Sequence, residues 1–178
     1  GLAQRAWRGA VVLATGFAVS PEIRWNSVTR VIFLCKGNVC RSAYAQQFAL
    51  SQGLLSLSAG IDTHGGIPAN DVAKRIASAR GVDLSSHRSV KFSDLVGGLR
   101  CTDLVVAMEP WQARIAQASS SSIFMSQLTL AGLWLPVPKA TIVDPYVKHD
   151  QVFTRVFDEL DSVVVAVARL IGRGTPEA

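Results

Sequence analysis

One stretch of the sequence combines residue types that could bind and attack a phosphate. Residues 35–42 read CKGNVCRS: a cysteine, five further residues, an arginine and a serine. A cysteine thiolate is a nucleophile, and a guanidinium can hold two oxygens of one anion. Gly37 and Asn38 tolerate the left-handed backbone conformations that turn successive N–H groups toward one point. The order of these residues predicts a cradle of N–H groups with the sulfur of Cys35 beneath a bound oxyanion, in a positive environment that favours the thiolate.

Each of these residues also has an ordinary structural explanation when it is taken alone. A cysteine at the end of a strand is commonly a small buried hydrophobic residue, and an arginine is commonly an exposed helix residue. The stretch is not a Walker loop, because its lysine and its spacing are wrong. The conjunction of Cys35, Arg41 and Ser42 between a strand and a helix nevertheless favours the chemical interpretation.

The flanking residues predict the elements that would position this loop. Residues 31–34, VIFL, are typical of a buried parallel strand, and residues 42–51 predict a helix that ends before Gly53. In an open parallel sheet, ligands bind beyond the carboxyl ends of the strands, often at the N-terminus of the first helix. The loop at residues 35–42 occupies that position.

The pattern of strands and helices continues along the chain. It predicts one three-layer α/β domain: a four-stranded parallel sheet with helices on both faces and a phosphate-binding loop in the first βα turn. Further strands are predicted at residues 54–59, 103–108 and 128–131, and further helical segments at residues 71–80, 93–99, 109–118 and 151–171.

Composition narrows the class of protein. A chain of 178 residues fits one domain, and its net charge of +5 would suit an anionic ligand. The basic residues form no run, which argues against nucleic acid as a partner. The three cysteines, Cys35, Cys40 and Cys101, form neither a disulfide framework nor a zinc motif, which predicts a reducing, cytoplasmic compartment.

Residues 1–28 are predicted to be an extension of unknown role. Two arginines precede an apolar run at residues 10–19 that is too short to span a bilayer. A signal-peptide core is one interpretation, and a segment that docks on the domain is the other. We expect a helix packed against the core and no stable insertion into a membrane.

Several separate segments resemble one enzyme family. CKGNVCRS matches C-x-G-N-x-C-R-S, the signature of the low-molecular-weight protein tyrosine phosphatases. DPY at residues 144–146 lies where that family carries its general acid. SAG at residues 58–60, SSHRS at residues 85–89 and DLVVAM at residues 103–108 resemble further family segments in the same order.

This resemblance covers about residues 30–171, within a domain predicted at residues 29–178. It implies that Cys35 attacks phosphotyrosine to form a phosphocysteine, while Arg41 and the loop N–H groups hold the phosphate oxygens. Asp144 would protonate the leaving group and then activate water, although Asp-Pro alone is a common turn opening. It implies no metal and no cofactor.

The resemblance also implies supporting roles for other residues. Asn38, Ser58 and His87 would brace the loop, and Ser42 would donate a hydrogen bond to the thiolate. Tyr146 and His64 would form the pocket wall; His64 falls where relatives often carry an aromatic residue. The phosphate-binding loop as a whole would comprise Lys36, Gly37, Asn38, Val39, Cys40 and Ser42 beside the catalytic Cys35 and Arg41.

The segment after DPY resembles a bacterial branch that acts on tyrosine kinases of capsule or exopolysaccharide assembly. The expected partner is therefore a phosphotyrosine protein, with such a kinase as the narrower prediction. Two departures from the family pattern stand near the loop. Lys36 adds positive charge at the mouth and would favour acidic peptides, and Glu109 replaces the more usual aspartate.

Two rival functions remain open on the sequence. Arsenate reductases share this loop and fold, but they need resolving cysteines just after the third strand, where this chain reads VVAMEPWQAR. A non-catalytic phosphotyrosine-binding module would keep the cradle without turnover. We also hypothesise a reversible disulfide between Cys35 and Cys40, the alternative being that Cys40 is a small buried residue.

Overall fold

A parallel sheet forms the centre of the computed structural model, which describes residues 23–119 and 127–172. The strands of this sheet lie in the order β2-β1-β3-β4, and every neighbouring pair is parallel. The helix expected in the N-terminal extension falls largely on residues 1–22, outside the described residues. The strands are β1 Arg30–Cys35, β2 Ser56–Gly60, β3 Asp103–Ala107 and β4 Leu128–Leu130.

Helices cover both faces of the sheet. The first, second and fifth helices pack on one face and the third and fourth on the other, so the predicted three-layer α/β architecture is confirmed. The helices are α1 Arg41–Ser51, α2 Asp71–Ser78, α3 Phe92–Val96, α4 Pro110–Ser119 and α5 Asp150–Gly172, with short 3₁₀ turns at Trp25–Ser27 and Ala131–Trp134.

The side chains of β1 alternate between the two cores. Phe33 and Cys35 belong to the core beneath α1 and α5, whereas Ile32 and Leu34 belong to the core beneath α3 and α4. This alternation follows from the two-residue period of a strand, and the apolar run is continuous because both faces are covered. It directs the thiol of Cys35 to the side of the sheet on which α1 begins.

The element boundaries differ from the predicted ones by a few residues. Strand β2 starts at Ser56, two residues later than predicted, because Gly53 adopts φ +77° and the N–H of Leu54 returns to Ala49 O. Helix α2 ends at Ser78, because a similar turn follows, with Gly81 at φ +74°.

The chain order places a crevice beside the end of β1. Its two neighbours are β2 and β3, so the chain crosses over in opposite directions after β1 and after β2, and a ligand site is expected at such a switch point. The N–H of Met108 donates to Leu34 O, and the N–H of Ile142 donates to Met108 O. These bonds bring the segment that carries Asp144 to the same edge of the sheet.

Within the two described ranges, no helix combines the length and the hydrophobicity that crossing a bilayer requires.

Tyr44 connects α1 to α5. It is fully buried, its ring stacks on Phe157 with centroids 3.8 Å apart, and its hydroxyl donates to Asp161 Oδ1 at 2.7 Å. The same hydroxyl accepts a hydrogen bond from Arg80 Nε at 3.0 Å. We expect Tyr44→Phe to lower the free energy of unfolding by about 1–2 kcal/mol, because it removes both hydrogen bonds of the buried hydroxyl to the partly exposed Asp161 and Arg80. Urea denaturation measures this loss.

The chain has one other tyrosine, which provides a matched control. Tyr146 is 52 % exposed and its hydroxyl has no hydrogen-bond partner among the described residues. Tyr146→Phe should therefore change the free energy of unfolding by less than about 0.5 kcal/mol. Equal losses for the two variants would contradict this account of Tyr44.

Candidate active site

The sulfur of Cys35 lies at the carboxyl end of β1 and is held by hydrogen bonds. Its Sγ is 2.9 Å from Ser42 Oγ and accepts from the backbone N–H of Asn38 at 3.2 Å. Asn38 Nδ2 donates to Ser42 Oγ at 2.8 Å, so the serine hydrogen is available to the sulfur. Two donors thus converge on a buried sulfur atom and hold it in place.

The backbone between Cys35 and α1 forms a concave turn. Asn38 adopts φ +54°, a conformation that asparagine tolerates better than most residues. Cys40 precedes α1 as its N-cap, and its side chain makes no capping hydrogen bond. Among the described residues, the backbone N–H groups of Lys36, Gly37, Val39, Cys40 and Arg41 have no hydrogen-bond acceptor. Such a turn at a helix N-terminus can bind a tetrahedral anion.

Asn38 braces this turn through each of its polar groups. Its Nδ2 also donates to Ser58 Oγ at 2.8 Å, and its Oδ1 accepts from Val90 N at 2.8 Å. Its backbone oxygen accepts from His87 Nε2 at 2.7 Å, and Ser58 Oγ donates onward to Gln46 Oε1. The structure therefore brings Asn38, Ser58 and His87 into one network, together with Gln46 and Val90, which no sequence signal singled out.

The guanidinium of Arg41 is buried and anchored on one side. Its Nη1 donates to Glu109 Oε1 and to the backbone oxygen of Ile142, both at 2.8 Å. Its Nη2 lies 2.8 Å from Asp144 Oδ2, and its Nε has no hydrogen-bond partner among the described residues. A buried, unpaired donor is costly, so the edge formed by Nε and Nη2 is the one available to an anion.

Glu109 is itself held in place by a glutamine. The fully buried Gln112 donates from Nε2 to Glu109 Oε1 at 2.8 Å, and its Oε1 accepts from the N–H groups of Met108 and Glu109. Gln112 thus orients the carboxylate that orients Arg41. The sequence carried no signal for Gln112, because a glutamine inside a helix is most often a surface residue.

One cavity contains the groups predicted to act in catalysis. Its volume is about 270 Å³, and Cys35, Arg41, Asp144 and Tyr146 line it together with the backbone turn. Asp144 Oδ1 also accepts from the N–H of Tyr146 at 3.2 Å, which holds residues 144–146 in a turn. The thiol, the guanidinium and the carboxyl group therefore face one space.

Of the two residues predicted to form the pocket wall, the structure places one at the cavity. Tyr146 lines the cavity, but the exposed His64 does not. Thr63 and Ile67 line that side instead, because Gly65 and Gly66 adopt φ +83° and +72° and turn the chain between them. The resemblance places His64 on the wall by its position along the chain, and that position does not reveal this turn.

The other two cysteines differ in their surroundings. Cys40 is buried beside the active site, and burial raises the pKa of its thiol, to which the charges of Cys35 and Asp144 contribute further. Cys40 therefore stays protonated and is a poor nucleophile next to Cys35. Cys101 is exposed at the start of β3, at the opposite end of the sheet from Cys35. All three thiols are free.

Lys36 lies at the mouth of the cavity, as expected, and the carboxylate of Asp62 lies beside it. Its ammonium lies 4.0 Å from a carboxylate oxygen of Asp62, and both side chains are more than half exposed. Asp62 also lines the cavity. The negative charge of Asp62 offsets part of the positive charge that Lys36 brings, which weakens the preference for acidic peptides expected from Lys36.

His87 makes the stability of the braced turn depend on pH. Burial lowers the pKa of His87 below its ordinary 6.5, outweighing the opposite effect of its hydrogen bond to Asn38. The folded state therefore binds fewer protons than the unfolded state just below pH 6.5. Stability should be full above that pH and fall as the pH decreases, with a slope of at most about 1.4 kcal/mol per pH unit from this residue.

Urea denaturation between pH 5 and 8 tests this dependence. His87→Gln should flatten the profile below pH 6.5, because it removes the group that takes up the proton on unfolding. His64→Gln, at an exposed position, is the matched control and should leave the slope as it is. The same slope in wild type and His87→Gln would contradict the assignment.

Comparison with known proteins agrees with this geometry. The family model for low molecular weight phosphotyrosine protein phosphatases matches residues 30–175. The low molecular weight protein-tyrosine-phosphatase Etp of Escherichia coli K12 is 30 % identical over 157 residues, which cover 85 % of this chain and 99 % of Etp. The tyrosine phosphatase Wzb from Escherichia coli K30, crystallised with sulphate, superposes with a TM-score of 0.69 at 27 % identity over 80 % of this chain and 97 % of Wzb.

An arsenate reductase of Staphylococcus aureus matches a smaller part of the chain. It is 37 % identical over 83 residues, which cover 44 % of this chain and 58 % of the reductase. The phosphatases match over nearly their whole length, and they are bacterial, as the sequence predicted for the branch. The chain therefore belongs to the low molecular weight phosphotyrosine protein phosphatase family and is a protein-tyrosine-phosphatase.

Proposed function

We propose that Cys35, Arg41 and Asp144 carry out phosphotyrosine hydrolysis in the cavity that they share. The observation that carries this assignment is the geometry of Arg41. Its Nη1 donates hydrogen bonds to Glu109 and Ile142. Its Nε has no hydrogen-bond partner among the described residues. The unpaired Nε belongs to a side chain that lines the same cavity as the sulfur and the carboxyl group.

The first step transfers the phosphoryl group to sulfur. The Cys35 thiolate attacks phosphorus, a P–S bond forms, and the bond from phosphorus to the tyrosyl oxygen breaks. The loop N–H groups and the Nε–Nη2 edge of Arg41 hold the equatorial oxygens as charge redistributes. Protonated Asp144 gives its proton to the departing phenolate oxygen, so free tyrosine side chain leaves as a neutral phenol.

The contact between Arg41 and Asp144 prepares the acid. In this structure the carboxylate occupies Nη2, at 2.8 Å. A phosphate dianion competes for that donor. Binding of substrate thereby releases the Asp144 carboxyl group from Arg41 to act on the leaving group.

The second step returns the enzyme to its starting state. Asp144, now a carboxylate, takes a proton from water as the water oxygen attacks the phosphorus of the phosphocysteine. The P–S bond breaks, inorganic phosphate forms, and the thiolate leaves. The hydrogen bonds from Ser42 Oγ and Asn38 N stabilise that leaving group.

The rival functions fit the structure less well. An arsenate reductase passes oxidation to resolving cysteines, and Cys101 cannot serve. The register pairs Arg30 with Asp103, so Cys35 lies five residues further along the sheet, roughly 16 Å away at about 3.3 Å per residue. A binding module without turnover would not need Asp144 beside Arg41.

For the substrate, we propose the phosphotyrosine of a bacterial tyrosine kinase of polysaccharide assembly. The support is the resemblance of the segment after residue 146 to that branch, together with the match to the bacterial phosphatases Etp and Wzb. Three free thiols suit a reducing compartment, and we place the enzyme in the cytoplasm. Residues 1–28 stay a predicted extension outside the catalytic domain.

The acid role of Asp144 predicts a dependence on the leaving group. Asp144→Asn should slow phosphoenzyme formation from phosphotyrosine by about 10²–10⁴-fold, since the phenolate must then leave unprotonated. With p-nitrophenyl phosphate the loss should be much smaller, because p-nitrophenolate leaves readily without a proton. Stopped-flow and rapid-quench measurements of this step provide both rates.

Two results would decide against the assignment. Cys35→Ser should abolish turnover of both substrates. If this variant turns them over at the wild-type rate, Cys35 is not the nucleophile. Equal losses on the two substrates for Asp144→Asn would indicate a structural role for the carboxylate.

The proposed substrate is tested by capture. Asp144→Ala should retain phosphorylated protein that the wild type releases, and tyrosine-phosphorylated kinase should be enriched in a pull-down and eluted by orthovanadate. Asp158→Ala is the matched control, because Asp158 is an exposed aspartate on α5 that pairs with Arg80. Capture of other phosphotyrosine proteins without any such kinase would overturn the substrate proposal but not the chemistry.

A further inference from the structure

We propose that a second cavity, next to the active site, binds the substrate residues that flank the phosphotyrosine and selects for a carboxylate through Lys91. This inference rests on the proposed function, because it concerns where the residues that flank the phosphotyrosine of the substrate bind. We call this second cavity the side cleft. Its volume is about 250 Å³, and its lining includes Ile61, Thr63, Lys91, Phe92, Val96 and Ile115.

The side cleft and the catalytic cavity are neighbours. Thr63 lines both of them, so the two spaces adjoin at this residue. Extended polypeptide advances about 3.3–3.6 Å per residue. A substrate whose phosphotyrosine occupies the catalytic cavity can therefore place a side chain from about two or three positions away in the side cleft.

The wall between the cavities is firmly attached to the fold. Ser89 Oγ lies 3.1 Å from Thr63 Oγ1 and accepts from the N–H of Ile67 at 3.0 Å. The backbone of Ser89 also accepts from the N–H of Gly66 and donates to Ile67 O. Ser89 is buried, and its segment continues into the loop brace through Val90. These contacts attach the wall between the two cavities to the scaffold of the catalytic loop.

Lys91 provides the charge in the side cleft. Its backbone pairs with Gly60 at the carboxyl end of β2, and its side chain is half-buried. In the part of the chain that the structure describes, its ammonium has neither a hydrogen bond nor an ion pair. Lys36 differs, because Asp62 lies beside it at the mouth. Lys91 is therefore the better partner for a carboxylate of the substrate.

The lining indicates what occupies the side cleft. Phe92 contributes a buried ring, and Ile115 is 41 % exposed although it is a large aliphatic residue. Apolar surface beside an unpaired ammonium suits a short peptide segment with an aliphatic stem and a terminal carboxylate, as glutamate has. The occupant is thus the phosphotyrosine polypeptide itself, with glutamate on one side of the phosphotyrosine.

Peptide selectivity tests the role of Lys91. Phosphotyrosine peptides carry either glutamate or lysine at the positions two and three residues before or after the phosphotyrosine. The readout is the ratio of kcat/KM for a glutamate peptide to that for its lysine counterpart. A ratio cancels any general effect of a substitution on catalysis. On one side of the phosphotyrosine, we expect the wild type to favour glutamate about tenfold at low salt.

Charge reversal gives the decisive comparison. Lys91→Glu should bring the ratio to one or below, and high salt should reduce the wild-type ratio. Lys74→Glu is the matched control, because Lys74 lies on α2 and pairs with Asp71, and it should keep the wild-type ratio. Thermal unfolding confirms that both variants are folded.

The outcomes separate this inference from the proposed function. A wild-type ratio near one on both sides, or the same ratio in wild type and Lys91→Glu, would overturn the side cleft as a carboxylate site. Active hydrolysis of p-nitrophenyl phosphate alongside either result would leave the proposed chemistry standing. If the wild type itself does not hydrolyse p-nitrophenyl phosphate, both the proposed function and this inference are contradicted.

Discussion

The buried guanidinium of Arg41 is the interaction on which the site depends. A cation that is 1 % exposed must be compensated by hydrogen bonds and opposite charge. Glu109 from the end of β3, Ile142 and Asp144 from the returning segment supply this compensation. The need to neutralise one cation therefore brings three distant parts of the chain together at the carboxyl edge of the sheet. It also leaves Nε without a partner among the described residues, beside the Nη2 donor that Asp144 contacts, and a phosphate can bind at this edge.

Asn38, beneath the sulfur, is likewise buried and bonded through all of its polar groups. Its amide and backbone groups meet five separate partners, so its unusual backbone conformation is held by many contacts at once. The turn that results carries N–H groups that have no acceptor among the described residues, so they are available to a ligand. A preorganised cradle of this kind lowers the cost of stabilising charge as it develops.

Local chemistry explains what the sequence could predict. Cys35, Asn38, Arg41 and Ser42 lie within eight residues, between a continuous apolar strand and a helix, so their juxtaposition needs no tertiary information. The alternation of strands and helices likewise predicts the layers, because each element shows its own hydrophobic period. Element ends were less predictable, since the turns at Gly53 and Gly81 depend on hydrogen bonds that span several residues.

What escaped prediction depends on contacts between distant segments. Gln112 acts only through Glu109, and Val90 acts only through its backbone N–H, so neither residue type carries a signal of its role. His64 was wrongly expected to line the cavity because counting along the chain cannot show the two left-handed glycines that follow it. The roles proposed for Cys35, Arg41 and Asp144 follow from sequence motifs, whereas the shape of the pocket wall required the fold.

The residues that shape the wall also belong to the scaffold of the catalytic loop. Ser89 fixes the wall through Thr63 and Ile67, and the next residue, Val90, donates to the side chain of Asn38. Gly60 lies at the same junction, and a Cβ there would come within 2.8 Å of Lys36 O. The lining of the side cleft can therefore change without disturbing this unit only at side chains that make none of these hydrogen bonds, such as Lys91. Selectivity can vary at those positions while the geometry around the sulfur of Cys35 stays the same.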